Sequence, residues 1–291
     1  MKALVVTNCA TGAYTMGLRA IFPKWDVKGA NNNVAQKFID ERDRKFLGHL
    51  SSAKFLLTNE PDAPMFDGFA PDGVKLVIPN FSFRALQPDA FHLSHANQAV
   101  SSLLGGGNLH SRLTVTAFVL GMRVDETAAA FNAANYERCC YFDVFASERE
   151  NLLGRFSAAG IDLAPELDGW LGKGNFLYTH NHPKSFVFAD ILIKSLTGRF
   201  LTPVRAGTAR AMLEKLHDHL EDTGHWPVYP EIAARLGFDG SLVWRTSRGA
   251  GFRLLGVRDF VEQTFAGLAN LSGISPKTIP GFEDCATAIK P

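Results

Sequence analysis

The 291-residue sequence lacks the features that mark several protein classes. It has four cysteines, Cys9, Cys139, Cys140 and Cys285, with no CxxC pair and no framework spacing. That excludes a disulfide scaffold and points to a reducing, cytoplasmic setting. It has no excess of either charge: 30 Lys and Arg against 29 Asp and Glu give +1. Bulk charge therefore gives no sign of a nucleic-acid or membrane partner. It has no apolar run near the about twenty residues that span a bilayer. The opening run, ALVVT, is too short for a signal peptide. Gly105-Gly106-Gly107 lacks the preceding strand and the Gly-Lys-Ser/Thr of a phosphate loop, and reads as a break.

What is present is an ordinary globular composition, 46% hydrophobic and 20% charged, with 23 phenylalanines that imply a well-filled core or an apolar cleft. Residues 2–7 form an apolar, β-branched run that reads as a strand buried on both faces. Asn8-Cys9 follows directly, and residues 13–22 read as a helix closed by Pro23. This places Cys9 at a strand's carboxyl end and a helix's amino end, where ligands bind in open α/β sheets and where the helix dipole favours a thiolate. The alternative for such a cysteine is a small buried residue packed beneath the helix.

Residues 34–50 read as one amphipathic helix, and 54–58 and 74–78 as two more strands. All three strands end within about two residues of an asparagine, Asn8, Asn59 or Asn80, whose amides can donate to an oxyanion; asparagine is also common in turns. Beyond Phe91 the periodicity is helical, with helices expected over 111–121, from an Asp125 cap to 135, and over 145–159, 185–197, 207–222, 230–236 and 258–271. The tail, 275–291, is expected to wrap the surface. The fold expected is α/β, a small parallel sheet embedded in a predominantly helical remainder. The expected division is an α/β subdomain over 1–100 and a helical region over 101–291, packed as one unit.

Tyr178-Thr179-His180-Asn181-His182-Pro183 is a second focus. Two readings stand. His180 and His182 chelate a metal, for which no further ligand spacing is present, or one histidine is the base for a nucleophile, with Cys9 the best-placed partner. The prediction is no metal.

Several short motifs in fixed order carry a family resemblance: Asn8-Cys9 after the first strand, Ile78-Pro79-Asn80-Phe81-Ser82-Phe83 running to Gln87-Pro88-Asp89, Thr179-His180-Asn181-His182-Pro183, and Val228-Tyr229-Pro230-Glu231-Ile232-Ala233. In these the chain resembles the WcbI family of polysaccharide (capsule) biosynthesis acetyltransferases, departing from it with Ala10 where the family often has glutamine. The resemblance implies a coenzyme A cradle, with acetyl-coenzyme A as cosubstrate and a saccharide as acceptor. It implies Cys9 and His182 as the reacting pair, with enzymes of polysaccharide assembly as possible partners. Lys184, Arg245, Arg248 and His180 are then candidates for cofactor contacts, with Lys173 and Arg253 nearby in sequence; each cation also reads as a solvated surface charge. A more distant resemblance links the chain to the SGNH hydrolases, whose carboxylate three residues before the histidine is replaced here by Thr179. It leaves an esterase or thioesterase as the second reading, and a non-catalytic coenzyme A or glycan-binding protein as the third.

Overall fold

The computed structural model describes residues 1–69, 73–105, 107–218, 220–271 and 273–290. The chain divides into two units. One comprises Met1–Phe81, Asn151–Trp170 and His182–Leu220, the other Ser82–Glu150, Leu171–Asn181 and Glu221–Pro291.

The first unit is built on a four-stranded parallel sheet: β1 (Lys2–Thr7), β2 (Asp26–Asn31), β3 (Phe55–Asn59) and β4 (Val74–Ile78), in the order β2-β1-β3-β4. Ala3 lies against Phe55 and Phe55 against Val74, so the three strands read from the sequence are parallel neighbours. β2 is an addition that the sequence concealed. Its residues, DVKGAN, have only Val27 buried, and Gly29 brings the backbone so close to Thr15 that a Cβ there would meet its Oγ1.

β1 is joined to β2 by α1 (Thr11–Ile21). The return to β3 runs through α2 (Asn32–Asp40) and α3 (Arg44–Ser52), in place of the single helix expected over 34–50. The break is physical: Asp43 caps α3 by accepting from the Phe46 N–H at 2.7 Å, and Arg42 turns the chain with φ of 54°. Leu4, Val6 and Leu56 face Ala35 and Leu50 of these helices, forming one core. On the aromatic side Phe55 meets Trp25 and Phe200. The helix Ser185–Leu196 packs on α1. Its first turn is capped from afar, since Asp218 accepts from the Ser185 N–H at 2.7 Å.

The second unit is mainly helical with short antiparallel pairs, such as Ala90–His92 with Leu109–Ser111. The expected Asp125 cap is corrected. The helix Val124–Ala129 is capped at Arg123, whose N–H donates to Glu126 at 2.9 Å, and Asn132 caps a separate helix, Ala133–Arg138. The helix Ala164–Gly172, which spans the unit boundary, had no sequence signal. The tail does not simply wrap the surface, because its helix Phe282–Ile289 buries Cys285, Ala286, Ala288 and Ile289. Of the expected glycine break, Gly106 lies outside the described residues.

The centre of this unit is Asp89, fully buried. Its carboxyl accepts from Tyr141 at 2.5 Å, Tyr229 at 2.6 Å and the Leu113 N–H at 2.9 Å. Burial first, and the Asp89 charge second, push both phenols well above their usual range, so they remain donors. Among the described residues no helix is long and apolar enough to cross a membrane.

Candidate active site at the strand ends

The sheet order puts β2 on one side of β1 and β3 on the other. The chain therefore leaves the carboxyl ends of β1 and β3 in opposite directions, and that is the crevice where open α/β sheets bind ligands. Asn8 and Cys9 follow β1 there, Asn59 ends β3, and Asn80 lies two residues past β4.

The structure ties the three asparagines together. The Asn8 N–H donates to Asn59 Oδ1 at 3.3 Å, and Asn8 Nδ2 to Asn80 Oδ1 at 3.1 Å. Asn59 Nδ2 donates to the Ile78 carbonyl at 3.0 Å, and Arg155 Nη1 to the Asn80 carbonyl at 2.6 Å. Three strand ends are thus joined by side-chain amides. Asn80 Nδ2 differs from the other two amides in having no hydrogen-bond partner among the described residues, and Asn80 is half-buried.

Cys9 is half-buried in this cluster. Its Sγ donates to Asn8 Oδ1 at 3.7 Å, and the same oxygen accepts from the Ala10 N–H at 3.2 Å. Burial pushes the thiol up to about 11, while the backbone N–H groups of Cys9 and Ala10 pull it down by less. The expectation of a thiolate favoured by the helix terminus is therefore corrected: desolvation outweighs the dipole, and the thiol is protonated at neutral pH. Tyr14, buried on α1 and edge-on to Phe188 at 5.4 Å, is raised by its own burial and then by the nearby Cys9 sulfur. It had no sequence signal beyond helical spacing.

His182 belongs to the same unit as Cys9 and is half-buried at the start of a two-residue strand, His182–Pro183. Lys184, at the amino end of the helix Ser185–Leu196, is held below the usual lysine range by burial, partly offset by Asp218. The remaining cofactor candidates lie in the second unit. His180 is 2% exposed, with its ring edge-on to His92 at 5.2 Å. Arg245 donates to the Glu221 and Thr223 carbonyls and meets the His225 ring at 2.6 Å; Arg248 pairs with Asp222 at 3.1 Å. Both guanidinium groups are engaged within their own unit. Among the described residues no group of three or more His, Cys, Asp and Glu is arranged to hold a metal.

Sequence reasoning missed a cavity of about 450 Å³ along β4, lined by Lys75, Arg155, Lys194, Arg199 and Glu60. The available signal was Lys75, a cation inside an otherwise apolar strand.

The family model of the polysaccharide biosynthesis enzyme WcbI matches residues 2–197. The chain belongs to the WcbI family. No curated protein sequence matches it. A solved WcbI structure aligns with a TM-score of 0.72 and 14% identity over 99% of this chain and 97% of its own. It is described as a novel polysaccharide biosynthesis enzyme and as native protein without a disulfide bond between coenzyme A and one of its cysteines. At that identity the likeness is one of fold, and it extends beyond the segment matched by the WcbI family model.

Proposed function

We propose that this WcbI-family protein is an O-acetyltransferase that moves an acetyl group from acetyl-coenzyme A to a saccharide hydroxyl in polysaccharide biosynthesis. The observation that carries the reading is the tied asparagine cluster around Cys9, with one amide donor, Asn80 Nδ2, left without a partner among the described residues. The description of the solved relative, which names coenzyme A together with one of its cysteines, supports the choice of donor.

Bound acetyl-coenzyme A supplies the acyl group as an activated thioester. Cys9 Sγ is the nucleophile. Because burial keeps its thiol neutral, it needs a base at the moment of attack, and His182 takes that proton. Asn80 Nδ2 donates to the oxygen on which negative charge develops. Asn8 and Asn59 hold it in position, having committed amide hydrogen bonds to Asn80 and to the Ile78 carbonyl. His182 gives that proton to the departing coenzyme A thiolate, leaving the acetyl group on Cys9 as a thioester. Neutral again, it accepts the proton of the saccharide hydroxyl as the hydroxyl oxygen attacks that thioester, and returns it to the Cys9 sulfur that leaves.

The test is to follow thiol release from acetyl-coenzyme A with and without oligosaccharide acceptors. Acceptor-dependent release with an acetylated saccharide product supports the transferase. Release at the same rate in water alone makes the protein a thioesterase, and binding without release makes it a binding protein.

A further inference from the structure

We propose that the cavity along β4 is a site for the phosphoryl groups of a substrate. The inference goes beyond the acetyl-transfer reading and holds for any phosphorylated ligand of this unit.

The lining brings four cations, Lys75, Arg155, Lys194 and Arg199, to one concave space with one lining carboxylate, Glu60, while Asp67 and Glu166 pair with the two lysines. At about 450 Å³ the space is of ligand size, large enough for a diphosphate with part of its attached group. A cleft with an excess of one sign of charge concentrates the opposite sign.

The cations are held in different ways. Lys75 Nζ is steadied at 2.7 Å by Asp67, and Lys194 Nζ at 3.1 Å by Glu166. Arg155 is fixed by its 2.6 Å bond to the Asn80 carbonyl and by Nε donating to Asn151 at 3.1 Å. Arg199 is exposed and has no ion-pair partner among the described residues. Two ammonium groups and two guanidinium forks supply charge and bidentate donors together, the combination that suits phosphate oxygens. β4 is also the outer strand of the sheet, and Lys75, Leu76 and Val77 along it line the space.

The cavity is continuous in sequence with the cluster at Cys9. Glu60 follows Asn59, Pro79 precedes Asn80, and Arg155 touches both the cavity and Asn80. A phosphorylated substrate seated there has its charged end anchored beside the strand ends. Two sources carry the required diphosphate: coenzyme A and a nucleoside diphosphate sugar.

The experiment is calorimetric titration of the full chain with inorganic pyrophosphate at two salt concentrations, followed by displacement with each source. Pyrophosphate is expected to bind, more weakly at high salt. Its affinity is expected to fall about tenfold or more in the Lys75→Met/Arg199→Ala double variant and in Arg199→Glu, and to be unchanged in Lys28→Ala on β2. Arg199 is exposed, so Arg199→Glu keeps the test valid if the double variant melts early. Displacement by coenzyme A but not by pantetheine names the coenzyme as the source, and displacement by the sugar nucleotide names the acceptor. No pyrophosphate binding at millimolar concentration, or full affinity in Arg199→Glu, overturns the proposal. Cys9→Ala is expected to keep full pyrophosphate affinity, which separates this site from the acetyl-transfer reading.

Discussion

The Cys9 thiol donates to the side-chain oxygen of Asn8, its neighbour in sequence, across 3.7 Å. A hydrogen bond given by the neutral thiol adds to burial in keeping the sulfur protonated. The thiol is therefore held in its protonated form, and Asn8 links it to Asn80 on another strand end.

Asn8→Ala removes the acceptor for both Cys9 Sγ and the Ala10 N–H, and the donor to Asn80. The expected outcome is a loss of about 1–3 kcal/mol in urea unfolding, with the Cys9 thiol titrating lower than in wild type. Alkylation of Cys9 followed against pH measures the second effect.

The wild-type thiol, at about 11, gives a distinct pH signature. Cys9 alkylation is expected to be slow at neutral pH and to climb about tenfold per pH unit until the thiol titrates. The sign for stability follows. A free cysteine ionises near 9.0, so between that pH and about 11 the unfolded chain loses its proton while the folded chain keeps it. The contribution of Cys9 is present below the unfolded value and is lost as pH rises through this window. Cys9→Ala should lose less stability over the same window, and identical slopes for the two proteins would contradict the assignment.

Cys9→Ala and His182→Ala are each expected to reduce acetyl transfer by about 10² or more, and the double variant to lose little beyond the worse single one, as groups acting in one step do. Rates measured at saturating acetyl-coenzyme A check this.

Much of the sheet was legible in the sequence, because strands buried on both faces must be continuously apolar: Leu4, Val5 and Val6 in β1 and Phe55, Leu56 and Leu57 in β3 are all buried. β2 was not legible, since an edge strand with one buried side chain reads as a loop. The asparagines could be found from their repeated position after strands, but not their mutual hydrogen bonds, which need the β2-β1-β3-β4 order to bring them together. The thiol's upward shift was hidden for a different reason: a helix terminus is local and visible in the sequence, whereas desolvation depends on side chains packed from distant segments. The cations of the β4 cavity come from three separate segments, so no spacing announces them.

Asp89 makes a stability prediction independent of the site. Asp89→Ala leaves Tyr141, Tyr229 and the Leu113 N–H without their buried acceptor, and is expected to cost on the order of 4 kcal/mol in unfolding free energy. Tyr141→Phe, which removes one of the three donors, is expected to cost less than half as much.

The central claim is that Cys9 carries the acetyl group between donor and acceptor. The most direct measurement is mass spectrometry of the protein quenched in acid after incubation with acetyl-coenzyme A, with the modified peptide mapped. The account predicts one acetyl group on the peptide containing Cys9, lost on adding the saccharide acceptor and absent in Cys9→Ala. A Cys9→Ala variant that acetylates the saccharide at the wild-type rate would contradict it.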